Sequence, residues 1–143
     1  MQVDHLNLAA PFRVQPALDD ENRFFWTSGK DGRLRFLRCQ ACGHYLHPPL
    51  PRCPVCGARD VAPEAVSGRA EVFSYTVNHQ PWDGGTEPYV IALVELPEQR
   101  GLRLTTNVEG CEPDEVHIGM PVQVTFEQRG EVWFPLFEAV AAP

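Results

Sequence analysis

The sequence predicts a mainly β protein in two parts. A short helix leads into a small cysteine ribbon, and a five-stranded barrel of the OB type follows. Two observations carry this. Four of the five cysteines form two matched turns, Cys39-Gln40-Ala41-Cys42-Gly43 and Cys53-Pro54-Val55-Cys56-Gly57, with ten residues between the pairs. From Ala70 onward, five strand-like segments recur at fairly regular spacing, with a break after the third. The 143 residues, 43% hydrophobic, suffice for one domain or two small ones.

Residues 1–16 read as an irregular arm, residues 17–62 as helix and ribbon, and residues 63–143 as barrel. Leu18 to Trp26 has helical character. Asp19, Asp20 and Glu21 sit at its N-terminal end, where they complement the helix dipole. Gly29 is the expected stop. Phe24, Phe25 and Trp26 crowd one turn and cannot all point the same way. A helix this short needs tertiary support. The aromatic trio therefore packs on its own ribbon, or docks on a partner or a second copy of the chain. Gly32 to Arg38 alternates and reads as the strand entering the first cysteine turn. Tyr45 to Pro51, with prolines at 48, 49 and 51, is an extended return, because proline excludes helix there. Pro63 to Gly68 reads as a linker.

Two cysteines three apart can both point inward from one tight turn. The glycine after each pair permits positive φ, so backbone N–H groups can face the sulfurs and support their charge. Four thiolates gathered in this way suit zinc in a closed structural site with no open position for catalysis. Iron uses the same knuckles and stays an alternative. Paired disulfides fit poorly with cysteines three apart and no secretion signal at Met1 to Ala10, and a redox pair would need a βαβ setting. Thiolate–metal chemistry fits reducing cytoplasm. His44 and His47 lie nearby and read as ordinary ribbon residues. Cys111 stands alone and reads as a small buried apolar side chain.

The barrel strands are expected at Ala70 to His79, Tyr89 to Leu96, Leu102 to Val108, Val122 to Gln128 and Val132 to Val140. In the fourth, Val122, Val124 and Phe126 face one way and Gln123, Thr125 and Glu127 the other. Pro113-Asp114-Glu115 and Ile118-Gly119-Met120-Pro121 form a turn or short helix that plugs one end. The loop from His79 to Pro88 holds Trp82 beside Gly84 and Gly85, a large apolar surface in a position where OB barrels commonly bind ligands.

Charge narrows the function classes. The net charge is -7, unevenly spread. Lys30 to Asp60 holds six basic and two acidic residues, whereas Val61 to the end holds four basic and thirteen acidic ones. The ribbon's excess balances the charge of a four-thiolate metal site, or offers a patch to a phosphate-bearing ligand. The barrel has the wrong sign for a nucleic-acid backbone, which is the rival function for a ribbon joined to an OB barrel. No apolar run reaches the length of a membrane helix. No glycine-rich phosphate loop follows a strand. Ser74, His79 and Asp83 are the nearest thing to a catalytic triad, and His79 with Asp83 reads more simply as strand end and loop.

Several motifs stand in a specific order: Phe25-Trp26, Gly32-Arg33-Leu34, the two Cys-x-x-Cys-Gly turns with Pro48-Pro49 between them, Ser74-Tyr75-Thr76-Val77, Pro88 to Leu96, and Ile118 to Val122. In this the chain resembles the zinc-ribbon/OB-fold acyl-CoA-associated proteins, formerly a domain of unknown function, over roughly Asp19 to Val140. The resemblance implies a rubredoxin-like ribbon with a helical arm, an OB barrel, and metal ligation by Cys39, Cys42, Cys53 and Cys56. It also implies an accessory subunit without catalytic residues of its own. Such subunits assemble with thiolase-like acyltransferases, aldolases or acyl-CoA hydratases and help shape the acyl-CoA site. Phe25, Trp26, Trp82 and Tyr89 are the candidate contacts to partner or CoA thioester, with plain barrel packing the simpler role for Tyr89. A homodimer inside a larger hetero-oligomer fits the same picture.

Overall fold

The computed structural model describes residues 13–80 and 87–140. The first part contains helix α1 (Arg23–Trp26), a 3-10 turn (Ser28–Asp31) and strands β1 (Arg35–Cys39), β2 (Tyr45–Leu46) and β3 (Val61–Ala65). The second contains β4 (Arg69–Asn78), β5 (Tyr89–Glu95), β6 (Arg103–Glu109), a 3-10 turn (Pro113–Glu115), β7 (Pro121–Arg129) and β8 (Val132–Ala139).

The first three strands form a small antiparallel sheet in the order β2-β1-β3. The other five close into a barrel in the order β4-β5-β6-β8-β7, with β7 pairing back onto β4. β4, β5 and β6 make a meander. β8 runs parallel to β6, with Val108 opposite Phe137, and antiparallel to β7. The expected barrel strands agree with these to within a residue or two. Alternation explains β5, whose residues Val90, Ala92 and Val94 are buried between half-exposed neighbours. Phe73 is an extra residue in β4: Val72 pairs with Val94 and Ser74 with Leu93, so a bulge turns Phe73 outward, where the Arg103 guanidinium lies 3.7 Å from its ring centroid. The turn at Pro113–Glu115 carries a capping box from Glu112 and Glu115, and Val116 and Met120 beyond it are buried.

Ribbon and barrel share one core. Phe25, Leu34, Phe36 and Tyr45 from the first part belong to the same buried cluster as Val72, Val94, Leu96, Val122 and Phe137 from the second. Burying an aromatic or aliphatic side chain is worth roughly 1.5–3 kcal/mol, so this junction holds the two parts together firmly. A second cluster, Leu37 and Leu46 with Cys39 and Cys53, lies under the cysteine turns. A third covers one face of β8. Val132, Phe134 and Leu136 are buried there beneath Leu18 and Trp26.

Three expectations are corrected. The helix is four residues long and does not start at Leu18. Asp19 Oδ1 instead accepts the N–H groups of Glu21 at 2.9 Å and Asn22 at 2.8 Å, which holds that segment as a turn until Arg23. Gly29 does not end the helix. It lies buried inside the 3-10 turn, where any side-chain carbon would overlap the Phe126 ring; Gly32, at φ 79°, makes the left-handed stop. Pro63 to Ala65 is strand rather than linker, with Pro63 opposite Leu37. β3 is the outer strand of its sheet, where a missing N–H is tolerated.

Residues 13–19 carry no regular structure, yet the chain is firmly attached at Arg13. The Arg13 side chain is only 8% exposed. It donates to Asn107 Oδ1 at 2.5 Å, Glu109 Oε2 at 3.0 Å and Glu127 Oε2 at 3.1 Å. Its guanidinium lies 5.7 Å from the Phe134 ring centroid.

Candidate metal centre and adjoining groove

β1 delivers Cys39 to the first turn, and the chain after β2 delivers Cys53 to the second. The turns are near copies. Gly43 N–H donates to the Cys39 carbonyl at 2.9 Å, and Gly57 N–H to the Cys53 carbonyl at 2.9 Å, with φ of 84° and 78°. Each turn aims an N–H at its first sulfur: Cys42 at Cys39 Sγ and Val55 at Cys53 Sγ, both at 3.4 Å. The Cys42 N–H pulls the Cys39 thiol down to about 7, and the Cys56 N–H likewise lowers Cys53.

The four Sγ atoms lie within 4.8 Å of one another, with Cys39 to Cys56 at 3.6 Å and Cys42 to Cys53 at 3.7 Å. A tetrahedron with metal–sulfur arms of about 2.3 Å has edges of about 3.8 Å. A disulfide would bring two sulfurs to about 2.05 Å. The donor set therefore fits a tetrahedral metal held by four thiolates. Arg38 braces the first turn from behind. It donates to the Gly43 carbonyl at 2.8 Å and to Glu64 Oε2 at 2.6 Å, and it covers the Tyr45 ring at 4.5 Å. Part of the ribbon's basic excess is thus committed to holding the turn.

Beside this centre, α1 and the chain after β2 face β6 across a groove of about 520 Å³, lined by Phe25, Trp26, His47, Pro48 and Pro49 on one side and Arg103 on the other. Phe25 is itself buried, stacked on Phe36 at 6.1 Å. Trp26 meets Phe134 edge to face at 5.7 Å and is half-buried. The aromatic trio therefore packs on ribbon and barrel together. Tyr89 opens β5, and its hydroxyl accepts from Asn78 Nδ2 at 3.0 Å. Trp82 lies outside the described residues, as does Asp83. Ser74 is exposed on β4, and His79 follows that strand on the surface.

His47 was legible only as a ribbon residue. Its ring lies 5.0 Å from Phe25 and 4.8 Å from Phe36, and burial pushes its pKa down to about 4. Its Nδ1 is buried without a partner among the described residues. Phe25 and Trp26 were the local signals for this surface, and Pro48-Pro49 marked only an extended return. Nothing local announced Arg103. Cys111 packs against the main core, and burial raises its thiol pKa.

Comparison with known proteins matches both parts in order. Residues 26–62 match the model of the ChsH2 rubredoxin-like zinc ribbon domain, and residues 63–127 that of the ChsH2 C-terminal OB-fold domain. A probable enoyl-CoA hydratase alpha subunit of Thermomonospora curvata is 43% identical over 87% of this chain; the chain spans only 39% of that relative's length. A DUF35 domain-containing scaffold protein of Methanocaldococcus jannaschii is 38% identical, over 66% of this chain and 68% of its own. Among solved structures, a chain of the Ltp2-ChsH2(DUF35) aldolase superposes with a TM-score of 0.78 at 41% identity, covering 87% of this chain and 98% of that one. With the cysteine ribbon, the closed barrel and their order all shared, the chain belongs to the ChsH2 (DUF35) family of zinc-ribbon/OB-fold proteins.

Proposed function

We propose that this chain is a non-catalytic subunit that assembles with a CoA-thioester enzyme, either a thiolase-like acyltransferase or aldolase or an acyl-CoA hydratase, and helps to shape its acyl-CoA site. The observation that carries this reading is the near end-to-end likeness to a chain of the Ltp2-ChsH2(DUF35) aldolase. The metal is zinc. Four protein thiolates close the coordination shell, so its contribution is rigidity rather than chemistry on substrate. Cys39, Cys42, Cys53 and Cys56 hold it.

Trp26 supplies the partner-facing aromatic beside the groove, with Phe25 as its buried support. Trp82 and Tyr89 are further contacts to the partner or the CoA thioester. The acidic barrel favours a protein or CoA-thioester partner over nucleic acid. Metal-bound thiolates suit reducing cytoplasm as the setting. No helix among the described residues is long and apolar enough to cross a membrane.

Co-expression with a thiolase-like protein and, separately, with an acyl-CoA hydratase subunit of the same organism tests the proposal. The expected result is co-purification with about one zinc per copy of this chain. Recovery of this chain alone, with no stable association to either class, would overturn the assembly. Iron at the same stoichiometry would overturn the metal assignment.

A further inference from the structure

The turn between β5 and β6 grips the ribbon along the outer edge of β2. Gln99 Oε1 accepts the Tyr45 N–H at 2.8 Å, and Gln99 Nε2 donates to the Tyr45 carbonyl at 3.1 Å. A side-chain amide thus completes the outer edge of β2 as a neighbouring strand would. The next residue back, His44, gives its carbonyl to the Cys39 N–H at 2.8 Å, and Cys39 is a metal ligand. Tyr45 also pairs with Arg38, the residue before Cys39. A continuous run of hydrogen bonds therefore leads from a metal-binding cysteine to a barrel turn. The turn is stiff on its own side: Leu102 N–H donates to the Gln99 carbonyl at 3.1 Å and Leu96 N–H to the Leu102 carbonyl at 2.9 Å. Glu98, adjacent to Gln99, accepts the Ser67 N–H at 2.7 Å, so the same turn also holds the segment joining β3 to β4.

We infer that Gln99 is a positioning residue that couples metal binding in the ribbon to the order of the β5–β6 turn. This inference rests on the four-cysteine site holding a metal, and on nothing about the partner. Metal that fixes Cys39 fixes His44 and with it Tyr45, whose N–H and carbonyl are the two groups that Gln99 binds. Linkage makes the effect reciprocal: the barrel turn that grips Tyr45 favours the metal-bound ribbon by the same factor. Two neutral hydrogen bonds in the lower half of their usual net strength amount to about a tenfold effect. The shared apolar core joins ribbon and barrel as well, but it contains no Gln99 atom, so removing the amide tests the polar route alone.

The test uses the full chain and Zn²⁺ alone, in competition with a chromophoric chelator. Gln99→Ala is expected to weaken Zn²⁺ binding about tenfold, with unchanged far-ultraviolet circular dichroism. Gln99→Glu keeps an acceptor for the Tyr45 N–H but loses the donor to its carbonyl, and it is expected to fall between. Hydrogen exchange on the unmodified chain supplies an independent reading. Chelation should speed exchange at the Leu96, Ser67 and Leu102 amides about tenfold, and this response should shrink to under about twofold in Gln99→Ala. Zinc affinity within about twofold of the parent in a folded Gln99→Ala protein would overturn the inference. An undiminished exchange response to chelation in that variant would do so as well. A chain that binds no metal at all would instead overturn the four-thiolate site itself.

Discussion

At the residue scale, two buried polar side chains show how context overrides type. Arg13 sits in a segment with no regular structure, yet its guanidinium is satisfied by Asn107, Glu109 and Glu127 and screened by Phe134. A planar head can reach these three acceptors from three separate nitrogens spread over one fork, a geometry that lysine's compact ammonium does not offer. His47 is the opposite case, a half-hidden imidazole between two phenyl rings with no partner for Nδ1 among the described residues. Burial holds its folded value at about 4, below the ordinary 6.5. The unfolded chain therefore takes up the proton first, and stability falls as pH drops from about 6.5 toward 4. The full loss approaches about 3 kcal/mol. Urea unfolding across that range should show this slope, and His47→Gln should flatten it. Acid also protonates metal-binding thiolates, so the difference between parent and variant is the relevant quantity. Neither side chain's role was legible in sequence. Arg13 lies 94 residues or more from its partners, and no local pattern joins them.

Among the elements, the ribbon shows where local signals suffice and where they stop. Both cysteine turns could be read directly, because Cys-x-x-Cys-Gly dictates its own backbone: two sulfurs on one side and a positive-φ glycine after them. The barrel strands were legible for a similar reason: alternation in β5 separates a buried face from a half-exposed one, while in β7 only Val122 is fully buried and Val124 to Glu127 are all half-buried. β3 escaped notice because Val61–Ala65 contains Pro63 and lacks clean alternation. Its strand character comes from β1, which supplies all of its pairing. The N-terminal helix was overread. Asp19 to Glu21 suit a first helical turn by charge, but the Asp19 side chain caps a turn instead. Because Cys39 ends β1 opposite Val61, loss of the metal should loosen the whole three-stranded sheet. Cys39→Ser is expected to reduce bound zinc from about one per chain to near zero. It should also speed exchange at the Leu37 and Cys39–Val61 amides at least tenfold, read by mass spectrometry. Undiminished zinc content would contradict the ligand assignment.

For the whole molecule, the notable fact is that the ribbon and barrel do not behave as beads on a linker. They share an apolar core through Phe36 and Phe137, and polar joints through Gln99 and Glu98. The segment between β3 and β4 is only three residues long, from Val66 to Gly68. A metal centre tied this closely to a barrel is suited to presenting surfaces in fixed relation to each other. That is what a subunit completing another protein's site requires. The sequence pointed to this role chiefly through family resemblance. The groove beside Trp26, and the joint that holds ribbon to barrel, emerge only when residues far apart in the chain are brought together.

The most direct measurement is CoA-thioester turnover by a thiolase-like or hydratase protein that co-purifies with this chain, assayed alone, with this chain, and against this chain by itself. Stimulation or rescue of the partner by the zinc-loaded chain, with no turnover by the chain alone, is the predicted result. Competent turnover by this chain in isolation, or a partner indifferent to its presence, would contradict the account.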